Sequence, residues 1–149
     1  MKKLTPESIK DSAITSRPLR DLELEYERIS RSGQPPVAKL GLYATASMKH
    51  VDNYRNLYRE AGIIAFDSID QRAGDRNSWY WKAAELFAAT LDEAVQQRAI
   101  REVNTLKAGT MFLDSVRALM AHQVFSAASA DIEDDVRDLM DLYLNGLAL

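Results

Sequence analysis

The chain contains no cysteine. A disulfide framework, a thiolate metal site and thiol catalysis are therefore all excluded. Glycine and proline are sparse, with six and four in 149 residues, and most of them stand where a helix should begin or end. No glycine-rich loop that could cradle a phosphate is present, and neither a Gly-x-Ser-x-Gly elbow nor a His-Glu-x-x-His pair occurs. The two histidines, His50 and His122, lack the Glu three residues earlier that aims a helical di-metal site. Each is expected to be a structural histidine at the margin of a core. Neither metal nor cofactor is expected, and the chain is read as a non-enzyme.

Long apolar runs are missing as well. Ile63-Ile64-Ala65-Phe66 and Leu86-Phe87-Ala88-Ala89 fall far short of the roughly 20 residues that span a bilayer. Met1-Lys2-Lys3-Leu4-Thr5-Pro6-Glu7 turns polar where a signal peptide needs an apolar stretch, so secretion by that route is not expected. The expectation is a cytoplasmic protein with no membrane insertion.

What is present is helical periodicity. A hydrophobic fraction of 46% and a charged fraction of 28% suit a soluble globular chain of single-domain size. Thr5-Pro6-Glu7 and Ser16-Arg17-Pro18 read as helix starts, with Ile9 and Ala13 on the face of a first short helix. Leu19, Leu22, Tyr26 and Ile29 then recur at steps of three and four, up to a stop at Gly33. Gln34-Pro35-Pro36 is read as a linker between this short N-terminal helical segment and the main bundle. A long helix follows to about Glu60, with Val37, Leu40, Ala44, Ser47, Met48, Val51, Tyr54 and Tyr58 in one arc and a close at Gly62. Residues 63–72 make a short helix ending at Gly74.

Residues 79–107 contain neither Gly nor Pro and predict one long central helix of about eight turns, capped from Asp75-Arg76-Asn77-Ser78 and ended by Gly109. Its apolar stripe rotates along its length, from Tyr80, Ala84, Phe87 and Leu91 to Val95, Ala99, Val103 and Leu106. Phe112, Val116, Leu119, Met120 and Val124 form the next helix. After a turn at 126–130 with Ser129 as cap, Ile132, Val136, Leu139, Tyr143 and Leu147 form the last. No period-two segment calls for a strand, and no repeat is seen. The expectation is an all-α, single-domain bundle of six or seven helices over residues 1–149.

Two surfaces stand out as partner-binding candidates. Trp79, Tyr80 and Trp81 diverge by about 100° per residue on a helix, so all three cannot enter one core, and an exposed aromatic would suit a binding site. On the last helix Asp131, Asp134, Asp135, Asp138 and Asp141 lie opposite the apolar arc. The dipole explains acids in the first turn but not Asp138 and Asp141.

Charge is asymmetric too. Residues 1–60 hold 11 Lys/Arg against 8 Asp/Glu, whereas residues 61–149 hold 8 against 14. The leading expectation is a small helical protein–protein interaction module, an adaptor, inhibitor or regulatory subunit, whose partner is another protein and which could also form a homodimer. The alternative is a nucleic-acid-binding regulator using the basic-leaning N-terminal half. Lys39, Lys49, Arg55 and Arg59 stand among Tyr43, Tyr54 and Tyr58 there, although the four cations do not form one stripe.

Overall fold

A computed structural model of the chain describes residues 13–61, 79–125 and 131–148. The expected helix starts at Thr5-Pro6-Glu7 and Asp75-Arg76-Asn77-Ser78, the short helix over 63–72, the closes at Gly62 and Gly74, and the Ser129 cap lie outside those residues. The described residues are all-helical, with no strand. They form α1 (Ala13–Ser30), α2 (Pro36–Asn53), α3 (Arg55–Ala61), α4 (Trp79–Gln96), α5 (Thr105–Phe125) and α6 (Ile132–Asn145). Five of these, 14 to 21 residues long, make the bundle, while α3 is a seven-residue continuation of α2. Among the described residues the bundle thus has five helices, not the six or seven expected.

The central element is α2, which packs against α1, α4, α5 and α6. Pro35 holds an extended conformation (φ −59°, ψ 148°) and Pro36 occupies the first turn, where a missing N–H leaves no hydrogen bond unmade. Being enclosed on several sides, α2 buries far more than one arc: Leu40, Tyr43, Ala44, Met48 and Val51, and also Lys39, Ser47 and His50. Tyr43, outside the arc read from periodicity, is fully buried. The helix ends at Tyr54 (φ −112°, ψ 22°), whose N–H still reaches the His50 carbonyl, and α3 resumes one residue later. The single helix expected from Pro36 to Glu60 is therefore broken at Tyr54.

Three further boundaries differ from expectation, each for a local reason. The predicted long helix over 79–107 is not formed, because the chain stops at Gln96 and starts again at Thr105. Arg98 takes the left-handed conformation (φ 57°), with Ala99 N–H on the Ala94 carbonyl at 2.9 Å and Arg98 N–H on the Val95 carbonyl at 3.0 Å. This is the Schellman arrangement that glycine usually supplies. The missing glycine hid the stop. Burial of Ile100 just beyond, and an Arg101 N–H bond to the Leu147 carbonyl, hold the turn in place.

Gly109 ends nothing. It lies inside α5, where an added Cβ would meet the Ala88 amide nitrogen at 2.9 Å and the Ala84 carbonyl oxygen at 3.1 Å. The glycine lets α5 approach the backbone of α4, whose facing residues are themselves small (Ala83, Ala84, Ala88). At the first boundary α1 is helical from Ala13, so Pro18 lies within it and does not open it. Its stop falls at Ser30, and Ser32, not Gly33, bonds a last-turn carbonyl through its hydroxyl (2.6 Å to Ile29 O).

An aromatic cluster holds the centre. The Phe87 ring stacks on Tyr43 at 4.7 Å and meets the edges of Tyr26 and Phe112 at 5.2 and 5.4 Å. Leu22, Ile29, Leu40, Leu91, Leu113, Val116 and Met120 complete one continuous core. No described helix is long and apolar enough to cross a membrane.

Candidate functional site

Most of the polar side chains drawn into this core have a structural task in view. Ser47 donates its hydroxyl hydrogen to the Tyr43 carbonyl (2.7 Å), so Tyr26 Oη must be the donor in its 2.5 Å bond to Ser47 Oγ. By the same count Thr90 donates to the Leu86 carbonyl (3.2 Å), and Tyr43 Oη donates to Thr90 Oγ1 (2.9 Å). Burial pushes the Tyr26 and Tyr43 phenols up, away from ionisation. These tyrosines act as cross-braces between helices.

His50 is buried, and its Nε2 lies 2.8 Å from Tyr58 Oη. Burial pulls its pKa down to about 4, against a smaller opposing pull from Asp21, so the imidazole is neutral at pH 7. His122, by contrast, is exposed on α5, not at a core margin. No cluster of three or more His, Asp or Glu suited to a metal ion occurs among the described residues.

The four cations of the α2–α3 segment are dispersed. Lys39 is only 5% exposed and holds the Ser30 carbonyl at 3.0 Å and Glu93 at 3.3 Å, linking the end of α1 to α4. Arg55 pairs with Asp52, and Arg59 Nε donates to the Val124 carbonyl. Lys49 is exposed.

Trp79, Tyr80 and Trp81 share the first turn of α4, and the structure does not bring them to one exposed patch. Tyr80 is buried, its hydroxyl on Asp114 at 3.2 Å and the Arg117 guanidinium 5.3 Å from its ring. Trp81 lies edge-on to Tyr80 at 5.5 Å, and Trp79 lies 6.4 Å from Tyr26; both indoles are partly buried against the core. Trp79 also floors a recess of about 430 Å³ between α1 and α4, shared with Glu23, Glu27 and Lys82. Lys82 and Glu23 span it at 3.6 Å.

The acids of α6 divide by role. Asp131 is the N-cap, accepting the amides of Glu133 and Asp134 at 3.0 and 3.4 Å. Asp134 pairs with Arg137 one turn on. Asp138 and Asp141 are exposed and take part in none of the ion pairs among the described residues. Asp138 stands on the flank of α6 that faces α5, beside Leu139 and Leu142.

At that flank stand the two most exposed of the large apolar side chains among the described residues. Leu142 is 79% exposed and Met111, facing it from α5, is 59% exposed. A groove of about 450 Å³ runs past them over Val103 and Ala108, rimmed by Arg101 and Lys107. A second, of about 540 Å³, continues on the other side of Leu142 over Ala118, Leu119 and Leu139, rimmed by Asp135 and Asp138. Tyr143 forms the floor between them, against Phe112 at 4.9 Å and donating to the Ala108 carbonyl at 2.8 Å; burial lifts its pKa to about 12.

Sequence reasoning named Asp135 and Asp138 but missed Leu142, Met111, Lys107 and Arg101. A signal existed: Leu139-Met140 and Leu142-Tyr143-Leu144 put more apolar side chains on α6 than one face can bury. No protein-family model, curated protein or solved structure matches the chain.

Proposed function

We propose that this protein is a small helical protein–protein interaction module, acting as an adaptor, inhibitor or regulatory subunit by binding and not by catalysis, and that it works in the cytoplasm. The observation that carries this reading is the α5–α6 seam, where Leu142 and Met111 stand in the open between two grooves. Contiguous exposed apolar surface rimmed by charge is the ordinary signature of a docking site. Of the two surfaces singled out in the sequence, Asp138 belongs to this seam and Asp141 to the outer edge of the same helix. Trp79 and Trp81 place much of their surface against the core and contribute less.

The alternative of a nucleic-acid regulator has weaker support, because Lys39 is occupied inside the bundle and Arg55 is paired. Affinity capture from the native cell tests the leading reading, using the wild type beside Leu142→Glu and Met111→Glu. A protein recovered by the wild type and lost with both variants supports it. Equal recovery by all three overturns the seam as the site.

A further inference from the structure

The seam carries its charge in an order that identifies its occupant. Tyr143 packs on Phe112 and bonds Ala108, while Asp135 and Asp138 share a groove with Ser115 and Leu119, so α5 and α6 run antiparallel. Lys107 stands one turn before Met111 on α5, and Asp138 stands one turn before Leu142 on α6. Because the helices oppose each other, the cations Arg101 and Lys107 come to one end of the apolar strip. The acids Asp135 and Asp138 come to the other.

Some of the other charges on these helices are neutralised locally, Asp114 by Arg117 and Asp134 by Arg137, and the exposed Glu133 and Asp141 line neither groove. Lys107 and Asp138 are exposed and unpaired among the described residues. A groove built for a foreign acidic helix would be basic along its length. A patch that is basic at one end, apolar in the middle and acidic at the other is complementary to itself when turned through 180°. That is what a two-fold interface requires, since each residue i meets j while j meets i.

We propose that the α5–α6 face is the contact between two copies of this chain, related by a two-fold axis passing near Leu142 and Met111, with Lys107 of each copy meeting Asp138 of the other. This rests on the reading of the seam as a docking site and names what docks there. At 1.5 Å per residue α6 is about 21 Å long and two helices abreast are about 20 Å wide, so the face covers about 400 Å² per copy. That is the size of a weak, reversible interface, not an obligate one. The dimer forms at micromolar or higher concentration and loosens as salt screens the Lys107–Asp138 pairs.

Sedimentation velocity of the full chain across a concentration series, at low and high salt, tests this, with circular dichroism confirming that each variant keeps its helices. The wild type is expected to pass from monomer to dimer. Leu142→Glu should stay monomeric. Lys107→Glu and Asp138→Lys should each weaken association about tenfold, and the double variant Lys107→Glu/Asp138→Lys should recover it by exchanging the charges. Association unchanged by Leu142→Glu, or not restored by the double variant, overturns this interface. A wild type that remains monomeric overturns the second copy as occupant; if capture of another protein still depends on Leu142, the docking reading survives and a foreign helix takes the place.

Discussion

The surroundings of α2 and the α5–α6 seam treat the same kinds of residue in opposite ways. Around α2, polar groups are taken inside and satisfied: Lys39 by Ser30 and Glu93, Ser47 by Tyr26 and Tyr43, Tyr43 by Thr90. Along the seam, Leu142 and Met111 are left outside, and Lys107 and Asp138 have no ion-pair partner among the described residues. Burying a cation or hydroxyl costs free energy unless its hydrogen bonds are remade, and leaving a leucine in water forgoes its transfer gain. The core bears the first cost to fix one arrangement of helices. The seam forgoes the second gain within the monomer, which leaves it to be realised on association.

The contrast can be broken from the inside first. Phe87→Ala, which removes the ring shared by Tyr26, Tyr43 and Phe112, should cost about 3–5 kcal/mol in chemical denaturation. A loss below about 1 kcal/mol would mean that the aromatic cluster is not the centre of the fold.

Acid should work through His50. Its folded pKa of about 4 lies below its ordinary value of 6.5, so the unfolded chain takes up the proton first as the pH falls. The stability tied to the neutral ring is whole above about pH 6.5 and is lost progressively down to about pH 4, to a total of about 3 kcal/mol. His50→Gln should remove that part of the pH dependence, measured as the difference between the two stability–pH curves. Parallel curves over this window would show that His50 is protonated without cost.

The two helical glycines among the described residues offer a smaller and sharper test. At Gly109 a new methyl would press on the backbone of Ala84 and Ala88, so Gly109→Ala should destabilise by about 1–3 kcal/mol despite the better helix former. At Gly41 nothing lies within 4 Å of the added carbon, and Gly41→Ala should stabilise by about 0.5–1 kcal/mol. Thermal melts of the pair suffice, and the same sign at both positions would contradict the close approach of α5 to α4.

How much of this was legible in the sequence depended on whether a signal was local. The buried stripe of α1 and the spacing of Val136, Leu139 and Tyr143 identified helices and their inner faces, because a helix packed on one side writes its period plainly, although Leu147, expected on the same helix, lies beyond its end at Asn145. The stop at Arg98 was hidden, since the left-handed turn is held by burial of Ile100 and by the Arg101–Leu147 bond, and not by a glycine. Gly109 misled for the converse reason: a glycine demanded by a neighbouring helix looks like one that ends its own. That α2 is the hub, with Tyr43 at its centre, was beyond a one-face reading. Of the candidate site the acids Asp135 and Asp138 were visible but the exposed apolar residues were not, because Leu142 beside Tyr143 reads as one more core residue until α5 is placed and found not to cover it.

The separation of a folding core from a docking face is the central claim, and the urea midpoint of the wild type beside that of Leu142→Glu, each over a range of protein concentration, tests it most directly. The wild-type midpoint should rise with concentration, because association draws on the folded state alone. That of Leu142→Glu should stay flat and meet the wild-type value at high dilution. A midpoint for Leu142→Glu that lies well below the wild type even at high dilution, or a wild-type midpoint indifferent to concentration, would contradict it.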